Sequence, residues 1–371
     1  MKHITNILST FALLFLGVIL TACKKDMESY ETKKIRYSAT PSAPDGYESL
    51  ILSGSYVGGA IIPTLPVRST WGMGGAAWAV GEDKHIAPDT VYIRYYSLAD
   101  DKFYVANHPL GREEMYRLLT TEYKDRNGEI LRYFTFTVSV APCGLVGVWI
   151  AGDAGHLEIC RFRAQEAELD FPKEFEYISG IDVSREKFLK HRESLYSFVR
   201  KEIAENQISS EYQERLMKKY PWKLTFNDPG FEVYHYNIEL INTEYRKAAS
   251  NGNWLTELNE KAIPKEMVFY IKHDKDPVRY KVWIEVVKPW DQNNEDDEKQ
   301  SLDRMNRNKE LMNIFERFYA EAGNEEVSLQ VEFDNSMKSA TLRLKTATKE
   351  LEIKGCNVYG IFDSDRYNLD D

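Results

Sequence analysis

From Leu131 to Ala151 the chain reads LRYFTFTVSVAPCGLVGVWIA. Its first part, through Ala141, alternates aromatic and β-branched residues with others, the period-two pattern of a strand with one buried face. Pro142 to Gly144 supply a turn, since proline presets its own φ and glycine accepts the left-handed region. Leu145 to Ala151 follows without a charge and reads as a nearly all-apolar strand, with Trp149 in the core. Two strands joined so tightly must run antiparallel, because a parallel pair needs a crossover of a dozen residues or more.

The same style extends outward. TVYIRYYS, Thr90 to Ser97, is a strand of β-branched and aromatic residues, and a turn at Asp100 and Asp101 leads into a second one at Phe103, Tyr104 and Val105. After Pro109 and Leu110 a short helix places Met115, Leu118 and Leu119 on one face. Leu157 to Phe162 is a further strand. Ser184 to Ala204 has the stripe of one amphipathic helix, with Phe188, Leu195, Val199 and Ile203 inside. The order then recurs. Val268 to Ile271 and Tyr280 to Val287 are strands, Asp303 to Tyr319 is a helix, and Val327 to Phe333, Ala340 to Leu344 and Glu350 to Ile353 are strands. Strand runs separated by single helices give an α+β fold, mainly antiparallel β-sheet with a few packed helices and two similar halves. We place the halves at residues 48–175 and 176–371.

The N-terminus carries an address. Lys2 precedes FALLFLGVIL, Phe11 to Leu20, ten residues without a charge. This is too short to span a bilayer, which takes about 20 apolar residues, and has the length of a signal-peptide core. Leu20, Thr21, Ala22 and Cys23 resemble the lipobox of bacterial lipoproteins. The resemblance implies cleavage between Ala22 and Cys23 and acylation of Cys23, so residues 1–22 are the signal peptide. No Asp follows Cys23, so the expected destination is the outer membrane, on its periplasmic or its outer face. Residues 23–47 are polar, with Pro41, Pro44 and Gly46, and read as the lipidated cysteine and a flexible tether. Removing the first 22 of 371 residues leaves 349 and, with one Lys gone, moves the net charge from −10 to −11. That balance argues against nucleic acid, which calls for a basic patch.

Three cysteines remain. Cys143 and Cys160 flank one strand, and an oxidising envelope permits a bridge between them. The alternative, with Cys356 included, is three small buried hydrophobes.

The densest signal runs from Thr90 to Leu169: Tyr96 and Ser97 at a strand end, Lys102, Phe103 and Tyr104, then Leu110, Glu113 and Glu114 at a helix start, and Ala141, Pro142, Gly144, Val146, Val148, Trp149 and Gly152 along a hairpin. This order, with Trp71 and Gly72 upstream, resembles the bacterial lipoprotein family catalogued as domain of unknown function 2931. The resemblance implies an envelope lipoprotein and supplies no catalytic residues.

No stretch assembles a reaction. Gly72, Gly74 and Ala77 satisfy G-x-G-x-x-A, but no strand leads in and no helix follows, so we read a glycine-rich loop. Ser184 and Lys187 form S-x-x-K without its companion motifs, and Asp182 and Ser184 are better explained as helix caps. His156 and Glu158 alternate on a strand and read as a surface pair, since zinc needs at least three protein ligands. Asp291, Asn293 and Glu295 hint at a calcium loop, but Asp296 and Leu302 stand where Gly and Glu belong. No metal and no cofactor is expected. Aromatics are 13% of the chain, with 23 Tyr. Tyr95, Tyr234 and Tyr236 sit in alternating strands, so some of the tyrosines face outward. The expected function is non-enzymatic binding of an envelope protein by a lipid-anchored body, an immunity lipoprotein that neutralises a toxin being one version. The alternatives are a surface glycan-binding lipoprotein and a hydrolase with an unrecognised active site.

Overall fold

The computed structural model describes residues 30–74, 84–175, 184–288 and 296–363. The first half contains β1 (Ser38–Ser42), β2 (Ser49–Tyr56), β3 (Pro66–Val67), β4 (Thr90–Ser97) and β5 (Lys102–Pro109). Helix α1 (Arg112–Thr120) then leads to β6 (Tyr133–Val140), β7 (Leu145–Gly152), β8 (Gly155–Arg163) and β9 (Gln165–Ala167). Four short helices follow: α2 (Phe171–Phe175), α3 (Arg185–Leu189), α4 (Ser197–Ala204) and α5 (Glu211–Leu216). The second half contains β10 (Tyr220–Phe226), β11 (Phe231–Leu240), β12 (Tyr245–Lys247), β13 (Asn259–Lys261), β14 (Pro264–His273) and β15 (Asp276–Glu285). Helix α6 (Asp297–Ala322) leads to β16 (Val327–Phe333), β17 (Ala340–Lys345), β18 (Glu350–Glu352) and β19 (Asn357–Asp363).

The halves are topological copies. In the first, β1 lies parallel to β6, β2 pairs β3 and β4, β4 pairs β5, β5 pairs β9, and β6, β7 and β8 form a meander. In the second, β10 lies parallel to β16, β11 pairs β12 and β14, β14 pairs β15, β15 pairs β19, and β16, β17 and β18 form the meander. Each half inserts its helix, α1 or α6, between its two sets of strands. The duplication is carried by strand order and pairing, not by residue identity.

Three main sheets result. One has the order β9-β5-β4-β2-β3, one β13-β10-β16-β17-β18, and a nine-stranded sheet, β1-β6-β7-β8-β12-β11-β14-β15-β19, runs through both halves. The halves join where β8 meets β12 through Gly155↔Arg246 and His156↔Tyr245.

Alternation in the strands explains the cores. Val91, Ile93 and Tyr95 of β4, Phe136 and Val138 of β6, and Val146, Val148 and Ile150 of β7 meet in the first, closed by Met115, Leu118 and Leu119 of α1. Trp222, Ile238, Phe269 and Val331 build the second with Leu311, Phe315 and Phe318 of α6. The uniform apolarity of β7 has a direct cause. Its other face presents Leu145 and Trp149 to Trp71 and Met217, so both faces are covered. Tyr96, on the other face of β4 from Tyr95, meets Phe103, Phe171, Phe175 and Phe188 under the connecting helices.

Two expectations need correction. Residues 38–42 are not tether: β1 pairs with β6 from Ser38↔Thr135 to Ser42↔Ser139, and Tyr37, Ala39, Ala43 and Tyr47 are buried. The strand takes the edge of its sheet despite Pro41, because an edge strand tolerates a missing N–H. Residues 23–29 lie outside the described residues. The helix expected from Ser184 to Ala204 is broken after a 3-10 turn, where Leu195 turns extended (φ −67°, ψ 157°) and α4 starts afresh at Ser197. The boundary at 175/176 divides the two halves in sequence, but the nine-stranded sheet crosses between them.

Candidate binding cavity at the seam

A cavity of about 660 Å³ opens where the two halves meet, within the roughly 300–1,000 Å³ usual for ligand sites. Both halves wall it. Thr137 of β6, Ala151 of β7 and His156 of β8 come from the first, Tyr245 of β12 and Arg304 and Asn308 of α6 from the second. Register brings them together: Ala151 is opposite His156, His156 opposite Tyr245, and Tyr245 opposite Glu239, so one row of side chains crosses the seam.

Asp45 anchors one wall. Arg304 Nη2 donates to Asp45 Oδ2 at 2.7 Å, and Thr70 Oγ1 donates to Oδ1 at 3.1 Å. Burial pushes the Asp45 carboxyl above the ordinary range against the pull of Arg304, Thr70 and Ser301. Beside it Asn308 Nδ2 donates to Tyr212 Oη at 3.0 Å, and burial pushes the Tyr212 phenol up to about 12.

The join itself is held by charge. Glu244, 1% exposed, lies 3.0 Å from Lys219 Nζ and 3.1 Å from Arg246 Nη2, and Lys219 is also 3.6 Å from Glu158 Oε2 of β8. Burial alone would raise the Glu244 carboxyl, but Arg246 and Lys219 hold it below the usual range; burial raises Glu158. The His156 ring is held by Nδ1, 2.6 Å from the Thr243 carbonyl oxygen, and burial lowers its pKa. His156 and Glu158 do face the same way, but as parts of this seam rather than as a surface pair.

The rim is different in character. Met73 and Phe134 line the cavity and are 52% and 43% exposed. Asp153, in the two-residue turn between β7 and β8, is exposed and has no ion-pair partner among the described residues.

The other sequence candidates fall elsewhere. Ala22 and Cys23 lie outside the described residues, as do Ala77, Asp182 and Asp291 to Glu295. Cys143 and Cys160 are free thiols, so the bridge is corrected. Cys160 lies opposite Val148, whereas Cys143 precedes the Leu145↔Arg163 pair, about 10 Å further along the strands at some 3.3 Å per residue. Cys143 is exposed, and Cys160 and Cys356 are half-buried. Ser184 caps α3, accepting from Lys187 N at 3.4 Å, and Asp296 caps α6, accepting from Lys299 N at 2.9 Å. Gly72 has φ +83°, and a Cβ there would meet Thr243 Oγ1 and the Trp149 ring, so it serves close packing beside the cavity. Tyr95 and Tyr236 are buried, and Tyr234 is half-buried. Among the described residues no group of three or more His, Cys, Asp or Glu is placed to hold a metal. Asp45, Tyr212 and Arg304 were missed, because each becomes a site residue only through partners distant in sequence.

The family model for proteins of unknown function DUF2931 matches residues 22–221. The chain belongs to this family. The match ends at the start of β10, so it covers the first half and the connecting helices, while the second half copies the topology beyond it. No curated protein and no solved structure matches this DUF2931 member.

Proposed function

We propose that this DUF2931 protein is a lipid-anchored binding protein of the bacterial envelope that receives a protein partner at the seam cavity and performs no chemistry of its own. The cavity carries the reading: two repeats, each with its own core, leave between them a space walled by both, with apolar side chains exposed at its mouth. Exposed apolar residues rimming a concavity mark association sites. The anchor rests on the apolar run Phe11 to Leu20 and on Cys23 after Ala22. Acylation by two or three chains would make attachment lasting, since one chain holds only marginally. Neutralising an incoming toxin is one role of such a module.

Two measurements test it. Cys23→Ser should release the protein from membranes; a variant that still pelleted with them would remove the anchor. A photo-crosslinking residue at Phe134 in living cells should join the chain to an envelope protein, and adducts with lipid or with nothing would end the partner reading.

A surface-glycan reading is favoured by an adjoining groove that shares Glu239 and Tyr245 with the seam cavity. Trp283 of β15 and Tyr359 of β19 lie 4.8 Å apart between ring centroids, with Tyr359 51% exposed, beside Tyr245 and Tyr270. Aromatic rings of this kind stack on sugars. Saccharide binding lost on Trp283→Ala, with the seam unaltered, would favour it over a protein partner. For a hydrolase, the cavity offers His156, whose Nδ1 is already engaged by a backbone carbonyl.

A further inference from the structure

We infer that the group entering the seam cavity is a cation on an apolar stem, presented by a basic side chain of the partner protein; this rests on the binding reading above. Three observations carry it. First, among the described residues four carboxylates, Asp45, Asp153, Glu239 and Glu244, line the cavity against two permanent cations, Lys265 and Arg304. Second, those cations are consumed internally. Lys265 Nζ lies 2.7 Å from Glu239 Oε2 and Arg304 Nη2 2.7 Å from Asp45 Oδ2, while Glu244 is held by Lys219 and Arg246. Asp153 is left at the rim with no ion-pair partner among the described residues. Third, the apolar Met73 and Phe134 stand exposed at the same mouth.

An entering arginine or lysine matches this arrangement. Its methylene stem lies along Met73 and Phe134, and its charged head meets Asp153, as long basic side chains divide themselves between apolar and polar surroundings. A carboxylate would instead face Asp153, which has no ion-pair partner among the described residues, and like charges at an interface oppose association. The net charge of −10 draws a basic partner in from a distance, an effect that weakens with salt.

The test uses the full chain in zwitterionic detergent and a fluorescent hexapeptide, Gly-Leu-Phe-Arg-Leu-Gly, with versions carrying norleucine or glutamate in place of arginine. Spermidine serves as a free amine. We expect the arginine peptide to bind about ten-fold more tightly than the norleucine one, the scale of a hydrogen bond to a charged group, with glutamate weakest. Asp153→Asn, a conservative change in an exposed turn, should erase the arginine preference and leave norleucine binding and the melting temperature unchanged. Phe134→Ser should weaken all three peptides. If norleucine and arginine bind equally and Phe134→Ser weakens both, the cation is overturned while the cavity stands. If no peptide binds, both readings fall. Spermidine binding without any peptide preference would overturn the protein source in favour of a free polyamine.

Discussion

Asp45 and Arg304 are 259 positions apart in the chain, and their side chains meet at 2.7 Å. The carboxylate stands in a loop just after β1 and the guanidinium on α6, so this pair ties the start of the first half to the helix of the second. Both side chains are mostly covered, which makes each partner costly to leave alone. Asp45→Ala and Arg304→Met should each lower stability by about 2 kcal/mol. The double variant should lose less than the sum of the two, as measured by urea unfolding.

Glu244 holds the seam more deeply. Glu244→Gln keeps the shape but removes the charge that Lys219 and Arg246 share. Losing one partner of a buried ion network costs about 3–5 kcal/mol. Circular dichroism should show a lowered melting temperature, and a variant melting like the parent would mean the network is solvated.

His156 sets a pH dependence. Burial lowers its folded pKa below the ordinary value of 6.5, so on acidification the unfolded chain takes up a proton that the folded chain refuses. Its contribution is intact above 6.5 and is lost as pH falls from there toward the depressed folded value. The parent should therefore lose stability on acidification through this window, and His156→Gln should flatten that part of the profile. Parallel slopes for the two proteins would contradict the assignment.

Gly72 combines a left-handed backbone with close contact. A Cβ would lie 2.2 Å from Thr243 Oγ1 and 2.9 Å from the Trp149 ring. Gly72→Ala should cost about 1–3 kcal/mol through strain and repacking. It should also disturb the near-ultraviolet signal of the Trp71–Trp149 contact, whose ring centroids are 5.3 Å apart.

Strands were legible wherever a local pattern reported burial. TVYIRYYS alternates because Val91, Ile93 and Tyr95 fill a core, and LVGVWIA is continuous because β7 is covered on both faces. Positions without such a pattern misled. Residues 38–42 looked like tether because a short parallel edge strand with a proline has no periodicity of its own; it is made by pairing with β6. The stripe of residues 184–204 fitted one helix, but local periodicity does not register the extended backbone at Leu195.

The sequence by itself determined the class of fold, the recurrence of strands and helices in two halves and the core faces, because each is written in the spacing of neighbouring residues. Only the tertiary structure decided the strand-for-strand match of the halves, the separation of Cys143 from Cys160, and the cavity. These depend on which distant strands pair and in what register, as where His156 meets Tyr245 or Arg304 reaches Asp45. Such pairings join residues a hundred or more positions apart in some cases, and no local spacing encodes them.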